Sequence, residues 1–239
     1  MQFPIDVTFD FRSDTPPGRD PDALSPRLRA YQKLLWSKPL PNGVVFRLDD
    51  TTSNAYLHHR SEMGEYFLSS DSVIPTFRKE PSIARFRDQM SVEELADFLR
   101  ISYTIGGMMI FPGNRIHLKT TINGARGLHP RIKDRIDLTV ECIRRHYSND
   151  PSPLSETLAR YSRFFGLFRD FAGYVEFFLL NDLVTEDCAA VKFSMPFDEF
   201  NSSPLPDSLE SYRSYKRHAI EFVQARNRRI LESSLAVVE

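Results

Sequence analysis

The chain predicts an α+β fold: a mixed, largely antiparallel sheet packed by several helices, with a long C-terminal helix. Three observations carry this expectation. Short segments of period-two hydrophobicity stand beside segments with broad helical faces. The two kinds do not alternate regularly, as a doubly wound parallel sheet requires. Residues 207–232 set Leu209, Tyr212, Ala219, Val223 and Ile230 on one helical stripe, in a single long element.

The elements follow in order. "IDVTFDF" (5–11) sets Ile5, Val7, Phe9 and Phe11 against Asp6, Thr8 and Asp10, the alternation of a strand with one buried face. A loop rich in Pro, Asp and Gly comes next. Ser25 and Pro26 then open a helix as N-cap and first-turn residue. Leu28, Tyr31, Leu34 and Leu35 form its buried stripe, and Pro39, Pro41 and Asn42-Gly43 end it. "VVFRL" (44–48), "NAYLHHR" (54–60) and "EYFLSS" (65–70) read as short strands. Ser91, with Glu94 three residues later, is a capping box at a helix start. "TIGGMMIF" (104–111) reads as a strand closed by a type II turn centred on Pro112 and Gly113. A helix over 130–147 has Ile132, Ile136, Val140, Ile143 and Tyr147 as its core face. "LSETLARYSRFFGLF" and "DFAGYVEFFLLNDLV" give two helices with aromatic faces fit for the core, and "AAVKFSM" (189–195) gives one more strand.

The 239 residues read as one domain spanning 1–239, because the best linker, 196–206, is followed by a single helix that cannot fold alone. With 31 basic and 32 acidic residues the net charge is −1, so no global field draws the chain to nucleic acid or an anionic membrane. Cys142 and Cys188 make no disulfide framework and suit a reducing compartment. The N-terminus lacks the basic and apolar regions of a signal peptide. The greasiest stretch, "GYVEFFLLNDLV", is interrupted by Glu176, Asn181 and Asp182, well short of the ~20 apolar residues of a membrane span. The expectation is a cytoplasmic protein with no membrane partner.

The run "YTIGGMMIFPGNRI…TINGARG…DRIDLTVECIRRHY…SPLSETLARYSRFFGLF…GYVEFFLLNDLV" is similar to an uncharacterised bacterial family, a domain of unknown function, and "LHHRSEMGEYFLSSDSVIPTF" resembles it too. The likeness spans most of the chain. It implies a bacterial origin and a single compact domain, and it implies no activity.

Functional expectations therefore rest on residue chemistry. On the helix 130–147, Arg135, Thr139, Cys142 and His146 flank the core stripe, while Asp134, Asp137, Glu141, Arg144 and Arg145 fit a solvated ladder of ion pairs. A buried arginine must be paired and hydrogen-bonded. Arg135 therefore either meets an acidic residue elsewhere in the fold or aims its planar fork at a ligand phosphate or carboxylate. "TINGARG" places Asn123, Gly124, Arg126 and Gly127 in a turn before that helix, where free N–H groups and Arg126 would hold an anion; a plain turn is the alternative. On a strand through "YLHHRSEMGE", His58, Arg60 and Glu62 share one face with His59 opposite, a set suited to acid–base chemistry or to a polar strand end.

Other patterns are weaker. "GNRIHLKT" has Leu118 where a phosphate-binding loop needs its second glycine. Arg213 and His218 match an Arg-x4-His spacing of some helical ribonucleases, a pattern expected by chance in a chain this rich in arginine. Arg226, Arg228 and Arg229 are read as favouring the C-terminal end of the last helix. No CxxC or HExxH spacing suggests a metal, no GxSxG suggests a serine hydrolase, and no cofactor is expected. The reading is an enzyme with an arginine-lined anion pocket acting on a phosphate-bearing substrate, a nucleotide or RNA. Its site holds His58 and Glu62 as catalytic groups and Arg60, Asn123, Arg126 and Arg135 as ligand-binding groups. The alternative is a non-catalytic module that binds a phosphorylated ligand or an acidic partner protein.

Overall fold

The structure, a computed structural model, describes residues 5–51 and 57–236. One sheet is built from β1 (Asp49–Asp50), β2 (Leu57–Ser61), β3 (Gly64–Ser72) and β4 (Met108–Pro112), in that spatial order and antiparallel at every pairing. Around it lie α1 (Pro21–Leu24), α2 (Pro26–Trp36), α3 (Pro81–Arg87), α4 (Val92–Ser102), α5 (Ile122–Leu128), α6 (Ile136–Ser148), α7 (Ser155–Ala159), α8 (Ser162–Gly166), α9 (Phe171–Phe177) and α10 (Leu209–Ala236). This is the α+β architecture with a long final helix that the sequence predicts.

Local chemistry explains the elements that match. The Ser25 hydroxyl accepts from Leu28 N–H at 3.0 Å, and Pro26 needs no acceptor at the first position of α2. The Ser91 hydroxyl caps α4 through Glu94 N–H at 3.1 Å. In the β2–β3 hairpin Leu57, His59, Tyr66 and Leu68 alternate inward, with Glu62 and Met63 as the two turn residues. The expected start of that first strand, 54–56, lies outside the described residues. Tyr161, Phe164, Phe165, Phe168, Phe171, Tyr174, Phe177 and Phe178 are all buried, as their spacing suggests, though the two long helices expected there are the three short helices α7, α8 and α9, and Tyr161, Phe168 and Phe178 lie just outside them.

Four elements differ from expectation. "IDVTFDF" forms no strand. The Asp6 carboxylate takes Thr8 N–H at 2.9 Å and the Asp10 carboxylate takes Arg12 N–H at 3.0 Å, so side chains fold the backbone locally in place of a ladder. "VVFRL" makes only an isolated bridge, Pro39 to Val45, because Pro39 and Pro41 have no N–H to extend it. "AAVKFSM" likewise stops at a bridge between Val184 and Val191, since Ser194 gives its N–H to Asp137. Gly113 is absent from the positive-φ glycines, so no type II turn is centred there; its N–H instead extends the pairing to Phe67 O.

The region 121–148 is also rearranged. "INGARG" is α5 itself, capped by the Thr121 hydroxyl through Gly124 N–H at 3.3 Å. Residues 130–134 then turn, with Lys133 and Asp134 at positive φ, and α6 begins only at Ile136. Arg135 is thus the N-cap residue and not part of the helix. Asp137 and Glu141, expected in a solvated ladder, are buried.

The long helix α10 seals the far side of the core. Tyr212 and Tyr215 donate their hydroxyls to Thr76 O (3.0 Å) and Pro75 O (2.9 Å). At its middle the chain 105–107 lies directly on the helix: a Cβ at Gly106 would stand 2.5 Å from the Val223 carbonyl oxygen. Only glycine permits that approach.

Candidate functional site

Three arginines are withdrawn from solvent: Arg126 (0% exposed), Arg135 (2%) and Arg226 (0%). Arg126 is bonded through all three of its guanidinium nitrogens within the protein. It donates to Asp71, to Thr139 Oγ1 at 3.0 Å and to Asp134 O at 2.7 Å, and it faces the Phe111 ring at 5.2 Å. Near this cluster Asp22 keeps one oxygen without a hydrogen bond, and burial, reinforced by Asp71, pushes its carboxyl up to about 8. Asn123 donates to Ser69 Oγ at 3.0 Å, and its own carbonyl oxygen is buried without a partner.

The hairpin residues stand elsewhere. His58 bonds Glu65 at 2.8 Å on the outer face, Arg60 is exposed beside it, and Glu62 is exposed in the turn. No hydrogen bond or ion pair joins any of the three to Arg126 or Arg135. His59 points inward against Phe46 and Tyr66, opposite to His58, as strand alternation requires. Hydrogen bonds and ion pairs therefore do not join the six residues singled out by sequence into one cluster.

Arg135 leads to a different place. Its guanidinium clasps Asp137 at 3.1 and 2.6 Å and reaches Pro204 O at 3.1 Å. Asp137 also accepts from Ser194 N–H at 2.8 Å and from the Ser194 hydroxyl at 2.7 Å. Burial pushes the Asp137 carboxyl up, but Arg135 and Ser194 outweigh it and hold it below the usual carboxylate range. Asp137 and Ser194 line a cavity of about 350 Å³ against α10. Tyr215, His218, Ala219, Phe222 and Ala225 recur there at helical spacing and form one wall. Leu183, Lys192 and Phe193 face them from the 183–194 segment.

The polar groups of this cavity are few. His218 Nδ1 lies 2.9 Å from Ser194 O; a carbonyl only accepts, so the neutral ring carries its proton on Nδ1, and its Nε2 is an acceptor that stands 3.5 Å from the Arg217 guanidinium. Lys192 and Arg228 are exposed at the cavity and make no side-chain hydrogen bond or ion pair among the described residues. Of the acidic lining groups, Asp182 is engaged by Arg229 at 2.6 Å and Asp137 by Arg135, leaving Glu221 as the one carboxylate set against two cations. Among the described residues no cluster of His, Cys, Asp and Glu is arranged to hold a metal, and no helix is long and apolar enough to cross a membrane.

Sequence reasoning passed over this site. His218 was visible only as half of a chance-prone Arg-x4-His spacing. The stripe Tyr215, Ala219, Phe222 with His218 among them was a usable signal, since a histidine inside an apolar helical face needs an explanation. Ser194 and Asp137 lie 57 residues apart, and nothing local joins them.

A family model described as a family of unknown function (DUF6994) matches residues 5–230. No curated protein and no solved structure matches the chain.

Proposed function

The chain belongs to DUF6994, a family of unknown function, and we propose from its own residues that the cavity beside α10 binds a small organic phosphate with a flat apolar body. One observation carries this reading. Two cations without partners among the described residues, Lys192 and Arg228, flank a cavity walled by aromatic and aliphatic side chains. Apolar walls with a few convergent charges are the usual composition of a ligand site. A nucleoside monophosphate has the matching parts: a ring for Phe193, Phe222 and Tyr215, and a phosphate for Lys192 and Arg228. The buried Arg135–Asp137 pair supports the wall and holds Ser194 in place, and does not itself meet the ligand's charge.

The test is a thermal-shift series with adenosine monophosphate, adenosine and inorganic phosphate. Adenosine monophosphate at a hundredfold excess over Kd should stabilise the protein by about 2.7 kcal/mol, and the two fragments should do far less. Lys192→Ala with Arg228→Ala, both at exposed positions, should leave the unliganded melting point unchanged and abolish the shift. A shift that survives in the double variant refutes the site.

A second reading, turnover of the same ligand, is favoured by the His218 tautomer, which presents Nε2 as a base. In that case His218→Ala should lower turnover by ~10²-fold or more with affinity nearly kept. This base replaces the hairpin pair His58 and Glu62 in the catalytic role.

A further inference from the structure

Arg226 differs from the other buried arginines in having no carboxylate. Its donors go to Phe178 O (3.2 Å), Gly106 O (3.0 Å), Met108 O (2.7 Å) and Met109 Sδ (3.2 Å). Carbonyl dipoles satisfy its hydrogen bonds but leave its positive charge uncompensated. The guanidinium stands 5.7 Å from the centre of the Trp36 ring. A second cation shares that ring: Lys38 Nζ lies 5.2 Å from Trp36 and 4.7 Å from Phe177. Among the described residues Lys38 Nζ makes no hydrogen bond and no ion pair.

Lys38 opens onto a cleft of about 400 Å³. Pro39, Leu40 and Pro41 form one side, and Arg169, Glu176 and Phe177 line the other. An amine set on apolar rings, beside another cation, is the arrangement that turns a lysine into a nucleophile. We propose that Lys38 is a nucleophilic amine that forms an imine, within this cleft, with a small carbonyl compound carrying an anionic group.

Burial, then the neighbouring Arg226 charge, pulls the Lys38 amine down to about 8, with Glu176 opposing. At pH 7 about a tenth of such amines are neutral, against a few in ten thousand for an ordinary lysine. The neutral Nζ lone pair attacks the carbonyl carbon, and the C=O π pair moves to oxygen. A proton passes from nitrogen to that oxygen to give the carbinolamine. Hydroxyl then leaves as water, taking one proton, while the nitrogen pair forms C=N. The step releases one water and needs no oxidant or reductant. Glu176, the only carboxylate among the described lining residues, is placed to carry the proton. The anionic requirement follows from charge: Arg226 lies behind the cleft with no carboxylate of its own, and Arg169, paired with Asp170 at 2.8 Å, borders it, so a carboxylate or phosphate on the ligand meets the field of Arg226.

The experiment uses the full chain, glyoxylate as the carbonyl-bearing anion, acetaldehyde as its uncharged counterpart, and cyanoborohydride to trap imines, read by peptide mass spectrometry. At pH 7 Lys38 should be labelled about tenfold or more faster than the exposed Lys79. Its labelling should rise with a midpoint near pH 8, and glyoxylate should outpace acetaldehyde at Lys38 alone. Glu176→Gln, at an exposed position, should slow labelling of Lys38 several-fold and leave Lys79 unchanged. The single tryptophan, Trp36, gives an independent readout: its fluorescence should change on adduct formation and stay constant in Lys38→Met. Equal rates at Lys38 and Lys79, or equal rates with the two aldehydes at Lys38, overturn the proposal.

Discussion

Arg135 and Arg226 are both buried, but only Arg135 meets a carboxylate there. Its charge is cancelled by Asp137 at 2.6 Å, and the pair is tied to Ser194 and Pro204. The ground around it is electrically neutral, so the charge of the nearby cavity comes from its exposed lining residues, Lys192 and Arg228 against Glu221. Arg226 instead rests on three backbone carbonyls and a thioether. Burial pulls its pKa down to about 9, and its charge acts on the groups near it, Lys38 and Tyr174. The difference teaches that hydrogen-bond satisfaction and charge compensation are separate requirements. Satisfying only the first leaves a field, and that field can activate a neighbouring group.

The sharpest way to break this contrast is to remove the carboxylate from the compensated partner. Asp137→Ala leaves Arg135 buried and unpaired, which should cost about 3–5 kcal/mol in chemical denaturation. Asp137 also has a depressed pKa, so its contribution is present above the ordinary carboxylate range and fades as pH falls through its folded value. The variant should lose that acid limb. Stability within 1 kcal/mol of the parent would mean that Arg135 finds other partners and that the pair is not what holds the cavity wall.

Arg226→Met should cost less, about 1–3 kcal/mol. The substitution strands the carbonyls of Gly106, Met108 and Phe178, each a loss of that order, but it also removes a buried charge that had no counter-ion, which offsets most of the sum. A loss equal to or greater than that of Asp137→Ala would show that the carbonyls compensate the charge as well as a carboxylate does.

Much of the fold was legible because its signals are local. Ser25 with Pro26, Ser91 with Glu94, and the alternation of Leu57 to Leu68 each act within a few residues. The segments that misled did so where a local competitor or a missing donor intervened: Asp6 and Asp10 folding their own backbone, and Pro39 and Pro41 stopping a ladder. The buried position of Arg226 was within reach. Tyr212, Ala219, Val223 and Ile230 were assigned to the core stripe, and 226 falls on that stripe three residues after Val223 and four before Ile230. It was read as a helix-end charge, yet α10 runs on to Ala236. The cavity was not legible, because Asp137, Ser194 and His218 come from three separate parts of the chain.

The smallest expected effect is the most specific to the contrast. Lys38→Met keeps an unbranched chain over Trp36 and Phe177 and removes only the ammonium. In the parent, Lys38 has a folded pKa of about 8, below its unfolded value near 10.5. Below pH 8 both states are protonated and the folded state bears the full penalty of a desolvated cation beside Arg226. Between the two values the unfolded state binds more protons, so the parent gains stability as pH rises, and above about 10.5 the penalty is gone. Lys38→Met has no such group. Its stability relative to the parent should therefore be more favourable at pH 7 than at pH 10.5, by on the order of 1 kcal/mol after screening at a partly open cleft. Groups that titrate identically in both proteins cancel in that difference. A relative stability that is flat with pH, or that runs the other way, would mean that the charge of Arg226 does not reach Lys38, and the two arginine sites would then be equally neutral to their surroundings.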